Sequence, residues 1–167
     1  KGVCDGLPTQ RLEDEQDAGL CNGKRCVDEI LLKDLQVQIS PGNGDRVVVL
    51  HQLGNHGPNY FERYPARFRR FTPTCENPEL GQCARQEIIN SYDNALLYTD
   101  HFLAATIGFL KAQKDYETAL VYVSDHGESL GEKGLFLHGV PYAIAPQEQI
   151  HVPMVMWFSP GFTSDAR

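Results

Sequence analysis

The sequence has no apolar run approaching the roughly 20 residues needed to cross a bilayer, and no charged leader ahead of an apolar stretch. It also has no surplus of positive charge. Fifteen Lys and Arg against 22 Asp and Glu leave a net charge of −7. That argues against nucleic acid, whose phosphates are met by excess Lys and Arg. Neither an internal repeat nor a low-complexity segment is present, which sets aside repeat architectures. None of the paired cysteine spacings is C-x2-C, which weakens a structural zinc reading for the cysteines.

What is present suits a globular domain. The chain has 167 residues, 41% of them hydrophobic, enough in principle for a self-supporting core. It opens at Lys1 without Met and ends at Arg167, soon after a strand-like run at 152–158. It is therefore expected to be a portion of a longer fold. Cys21 and Cys26 lie five positions apart, and Cys75 and Cys83 eight, in stretches rich in Asn, Gly, Pro and Glu. Such close pairs favour small-loop disulfides and an oxidising compartment. Cys4 is left over, and its partner is expected just before Lys1. Around Arg63, Arg67, Arg69 and Arg70 the chain is locally basic, interleaved with Tyr64, Phe68 and Phe71. This segment reads as a solvated face on aromatic anchors or as a contact for an anionic lipid surface.

Periodicity gives the outline. Val27–Ile39 has helical spacing, with Ile30, Leu31, Leu35 and Val37 as its expected buried stripe. Pro41-Gly42-Asn43-Gly44 is a turn. Arg46–His51 (RVVVLH) reads as a buried strand that opens into Gln52–Pro58. Glu87–Lys114 is the clearest helix, since Ile88, Tyr92, Leu96, Thr99, Leu103, Ile107 and Leu110 recur on one face. Thr118–Ser124 and Val152–Phe158 read as further strands, with a short apolar piece at Leu135–Gly139. Strand, long helix, strand predicts an α/β fold with a largely parallel sheet flanked by helices. In such sheets ligands bind beyond the carboxyl ends of the strands.

Two polar motifs leave those ends. Asp125 and His126 follow a buried strand directly, and a carboxylate with an imidazole is a common zinc pair. Gly127 permits the backbone turn that would let adjacent residues share an ion. His56 lies in the loop after the first strand, and His138 follows Leu137. Each of these three of the six histidines precedes a glycine. Their convergence on one sheet edge would suit metal ligands or phosphate contacts, whereas His51, His101 and His151 read as structural. A capping Asp and a loop His are the plain alternative for Asp125 and His126.

The motifs SDHGESLGEKGLFLHG (124–139), HQLGNHGP (51–58), NSYDNALLYTD (90–100) and PYAIAPQEQIHVPM (141–154) closely resemble the phosphoethanolamine–lipid A transferases. These are bacterial inner-membrane enzymes with a periplasmic catalytic domain of alkaline phosphatase/sulfatase-like fold. The resemblance runs through essentially the whole chain. It implies that residues 1–167 are the C-terminal portion of that domain, without the membrane-spanning region and the first part of the catalytic domain. It implies zinc as cofactor, phosphatidylethanolamine as donor, lipid A as acceptor, and a monomer held at the membrane through the missing region. The reaction would pass through a phosphothreonine and confer resistance to polymyxin and colistin.

By motif, Asp125 and His126 match ligands of the catalytic zinc, and His56 with His138 a pair that meets a second zinc or the transferred phosphate. Cys21–Cys26 and Cys75–Cys83 match family disulfides, and Cys4 one whose other half lies upstream. No catalytic nucleophile is expected in this chain, because Thr9, Thr72, Thr74, Thr99, Thr106, Thr118 and Thr163 all lie outside the nucleophile's motif. Lys133 stands where many relatives carry Asn. Two alternatives remain at this level: another enzyme of the same superfamily, such as a phosphoglycerol transferase or a sulfatase, and a lipid A-binding module without turnover.

Overall fold

The computed structural model describes residues 6, 8–12, 15–39 and 44–164, so Cys4 and most of the turn at 41–44 lie outside the described residues. The chain divides into two compact units, Lys1–Gln52 and Leu53–Arg167.

In the first unit the Asp17 carboxylate accepts the backbone N–H groups of Gly19 and Leu20, the ordinary way Asp stabilises a turn. Beside it the Cys21–Cys26 disulfide closes a second turn, inside which the Asn22 side chain accepts from Lys24 and Arg25 N–H. The helix expected over Val27–Ile39 is broken in two. A 3-10 turn spans Asp28–Leu32 and a short helix α1 spans Leu35–Gln38, with Asp34 between them at φ 57°. That left-handed residue re-aims the second piece, so Ile30 and Leu35 are buried while Val37 is 71% exposed. The strand expected at Arg46–His51 does not form. Val47, Val48 and Val49 are exposed, and no ladder partner exists for them among the described residues. β-branched residues favour a pleated surface, but without a neighbouring strand their backbone groups have no ladder to join.

The second unit is organised on one long helix, α2 (Arg85–Ala112). Its start is fixed by Glu87, whose carboxylate reaches back to accept the Ala84 N–H at 2.9 Å, half of a capping box. The buried face follows the expected stripe only in part: Ile88 and Thr99 are buried and Tyr92 packs against the core. Leu96 is 49% exposed, while Ser91 and Asn94 are fully buried beside Ile88, Ala95, Tyr98 and Phe102. Asn94 Oδ1 accepts from Arg70 and Phe71 N–H, its Nδ2 donates to Phe71 O, and Ser91 Oγ accepts from Cys75 N–H. Loop 70–75 thus rides on a polar groove of the helix, satisfying backbone groups that burial would otherwise strand.

After α2 come β1 (Ala119–Val123), β2 (Ser129–Leu130), β3 (Phe136–Leu137), a helical turn α3 (Gln147–Ile150) and β4 (Met154–Phe158). β1 pairs with β4 antiparallel, with Tyr122 opposite Val155, and β2 pairs with β3 antiparallel. Parallel neighbours were the expectation. The first strand of the expected strand–helix–strand unit is unpaired, so that unit does not close among the described residues. Behind the loops, Tyr60, Cys75, Leu80 and Ile88 form the core, with Cys83, Tyr92, Leu130 and Leu137 against them. The Cys75–Cys83 disulfide therefore lies within this cluster.

Candidate metal centre

Three loops of the second unit meet at one point. The first, Gly54–Pro58, brings His56, whose carbonyl accepts from Arg63 Nε at 2.6 Å. The second leaves β1 at Ser124. Ser124 Oγ donates to the His126 carbonyl at 2.7 Å and Gly127 N–H donates to Gln149 O at 2.9 Å, the latter tying the loop to α3. Gln149, 5% exposed, also donates to Ser129 Oγ and accepts from Val140 N–H. One buried amide thereby clamps both sides of the third loop, which carries His138. Gly127 matters here through close approach rather than through its dihedral angles: a Cβ would sit on the Glu148 carbonyl oxygen. Leu137, just before His138, has φ 64°, a conformation that costs a non-glycine residue energy and often marks functional sites.

The rings of His56, His126 and His138 converge. Those of His126 and His138 stack 3.7 Å apart, and His56 meets them edge-on at 5.8 and 4.9 Å. One ligating nitrogen from each lies within 4.8 Å of the others. Ligands at about 2.0–2.1 Å from one tetrahedral ion would be about 3.3 Å apart, so small ring movements suffice to close the set.

The other ring nitrogens are anchored. Nδ1 faces the Gly57 carbonyl in His56 at 2.7 Å, the Gly127 carbonyl in His126 at 3.0 Å and the Glu128 carboxylate in His138 at 2.7 Å. Carbonyl and carboxylate oxygens only accept, so each Nδ1 carries the proton and donates. In the neutral form of the ring this leaves the lone pair on Nε2, the tautomer a metal needs. This donor set fits a divalent transition metal of the kind imidazole favours.

Asp125 stands outside the trio. Its side chain is 83% exposed, and Oδ1 lies 3.8 Å from His126 Nε2, close enough for both to face one ion after a small adjustment. The sequence had divided the residues into Asp125 with His126 and His56 with His138. In the structure His126 adjoins both sets. His101 instead packs among Phe68 and Tyr98.

One contributor, Tyr60, was not singled out from the sequence, and a second, Glu128, stood there only as the end of the Ser124–Glu128 motif read as part of a metal site. Glu128, 8% exposed, places one carboxylate oxygen on His138 and receives the Tyr60 hydroxyl on the other. Tyr60 is 1% exposed, and its hydroxyl is held well above the usual phenol range by burial and by the bond to Glu128. It stays protonated and donates. Glu128 was visible as the end of the Asp125–Glu128 run, but only folding shows that it points inward.

An α/β unit with imidazoles gathered in the loops beyond a strand fits the metal-dependent hydrolase and transferase class. The family model described as Sulfatase matches residues 1–167, and the chain belongs to that family. It is 48% identical over 160 residues to phosphoethanolamine transferase EptA of Salmonella typhimurium, covering 95% of this chain and 29% of that protein. The soluble domain of lipooligosaccharide phosphoethanolamine transferase A from Neisseria meningitidis superposes with a TM-score of 0.92 at 45% identity, over 98% of this chain and 49% of that one. The periplasmic domain of Escherichia coli EptC, solved as a zinc complex, gives a TM-score of 0.67 at 28% identity, over 83% of this chain and 39% of that one. The chain thus spans less than a third of the curated relative and about half of the Neisseria domain. No helix among the described residues is long and apolar enough to cross a membrane.

Proposed function

We propose that the chain is the C-terminal portion of a periplasmic catalytic domain in a zinc-dependent, inner-membrane-anchored transferase. The enzyme moves phosphoethanolamine from phosphatidylethanolamine to a phosphate of lipid A, by way of a threonine that lies outside this chain. The observation carrying this is the convergence of His56, His126 and His138 with every Nδ1 committed to an oxygen acceptor. The names of the relatives favour transfer over sulfate ester hydrolysis.

His56, His126 and His138 would hold zinc, with Asp125 beside His126. Zinc, when bound, would steady charge on phosphoryl oxygens and make a hydroxyl a competent nucleophile. The chain's own part is to aim the ligands. Glu128 keeps the His138 proton on Nδ1, and the carbonyls of Gly57 and Gly127 do the same for His56 and His126. Capping a lipid A phosphate with an ethanolamine-bearing group lowers its net negative charge, which weakens attraction for a cationic antibiotic.

The test is transfer from a labelled phosphatidylethanolamine analogue to lipid A by the full-length protein in vesicles. Labelled lipid A should form, stop on chelation and resume with zinc. Hydrolysis of the donor without transfer, or full activity after chelation, would overturn the reading.

A further inference from the structure

We infer that Tyr60 is a positioning residue for the metal centre: its buried hydroxyl fixes Glu128 so that the opposite carboxylate oxygen holds the Nδ1 proton of His138. The inference rests on the zinc reading above and extends it one layer inward. A carboxylate can rotate about its last bond, so a single hydrogen bond to His138 would not by itself set the direction of that ring. The Tyr60 hydroxyl removes this freedom, because it donates to Oε2 while Oε1 faces Nδ1.

Tyr60 is itself immobilised. It is 1% exposed, meets the Tyr92 ring edge-on at 5.4 Å, and packs in the cluster with Cys75, Leu80 and Ile88. Its hydroxyl also lies where a Cβ on Gly57 would be only 2.8 Å away, so the same phenol borders the loop that carries His56. Tyr60 therefore links α2 and the disulfide-containing core to a ring that touches the ligand site. Partners that orient metal-bound histidines are worth about 10–100-fold in metal affinity, and Tyr60, acting through Glu128, belongs at the low end of that range.

The experiment is zinc affinity by competition with a chromophoric chelator, using full-length protein and four variants. Tyr60→Phe keeps the ring and deletes one oxygen, and should weaken zinc about tenfold. His138→Ala should weaken it more. The double variant should be no weaker than His138→Ala alone, because the hydroxyl acts only through that ring. Tyr92→Phe, which deletes the hydroxyl of the facing ring, should leave affinity within about twofold of the parent. An unchanged affinity in Tyr60→Phe, with a loss in His138→Ala, would overturn the positioning role and spare the ligand assignment. A full additional loss in the double variant, or an equal loss in Tyr92→Phe, would show that Tyr60 acts through the general fold and overturn the inference. Unchanged affinity in His138→Ala would remove the ligand reading, and this inference with it.

Discussion

The two halves of the second unit are held together by different forces. Around the histidines, directional hydrogen bonds tie the loops together: Glu128 with Tyr60 and His138, Gln149 with Ser129 and Val140, Gly127 with Gln149. In the β1–β4 ladder the backbone is paired, but the side chains are open. Val121 is 62% exposed, Met154 58% and Met156 55%. One region is fixed by directional hydrogen bonds between loops, and the other presents apolar surface of the kind normally covered. The geometry of the site therefore depends on individual atoms, whereas the exposed ladder face should tolerate exchange.

The largest effects should fall on the loops. His126→Ala in the full-length protein is expected to abolish transfer while both disulfides still form, as judged by product assay and thiol titration. Retained transfer would remove His126 from the centre. Glu128→Gln keeps shape and size but exchanges an acceptor oxygen for an amide group that can face His138 Nδ1 the wrong way. An activity loss of about 10–100-fold is expected, with little change in melting temperature.

Next comes Gly127→Ala. The added methyl would meet the Glu148 carbonyl, and relieving such a clash by backbone movement costs about 1–3 kcal/mol. Denaturant unfolding should show that loss, together with weakened zinc binding, because the displaced segment carries His126. A neutral result would mean that α3 yields easily and that the polar clamp is softer than its hydrogen bonds indicate.

Lys133→Gly should act in the opposite direction. Lys133 is exposed and sits at φ 53° between Gly131 and Gly134, both also at positive φ. Left-handed backbone costs a side-chain-bearing residue about 1–2 kcal/mol, and glycine's greater unfolded-state entropy returns about 0.5–1 kcal/mol of that. A net gain of about 0.5–1 kcal/mol in unfolding free energy is expected.

How much of this could be read from the sequence follows the same division. The three histidines stood out because each precedes a glycine beside a strand-like or loop segment. The clear helix was placed to within two residues at each end, Glu87–Lys114 expected against Arg85–Ala112 found. Its buried face was legible only in part, through Ile88, Thr99 and the core-packed Tyr92. Hydrophobic periodicity rewards Leu96, but Ser91 and Asn94 are buried instead because they bond the backbone of loop 70–75, a tertiary demand that no period encodes. Arg46–His51 failed for the converse reason: strand propensity is local, while a ladder requires a neighbour. The inward turn of Glu128 could not be read either, since residues 125–128 pass from exposed Asp125 through half-buried His126 and Gly127 to buried Glu128 with no period to announce it.

The smallest expected effect tests the open side of the comparison. Val121→Thr on β1 keeps the β-branched shape and exchanges a methyl for a hydroxyl at a site 62% exposed. In the 167-residue chain the hydroxyl stays hydrated, so unfolding free energy should move by no more than about 0.5 kcal/mol. If this chain is part of a larger catalytic domain, as proposed, the same strand face would be covered in the full-length protein. The hydroxyl would then lose water without gaining a partner, at a cost of about 1–3 kcal/mol. Unfolding both proteins in parallel compares the two environments directly. A difference of that size locates a cover over β1 in the full-length protein, whereas equal small effects would leave the apolar ladder face as genuine surface.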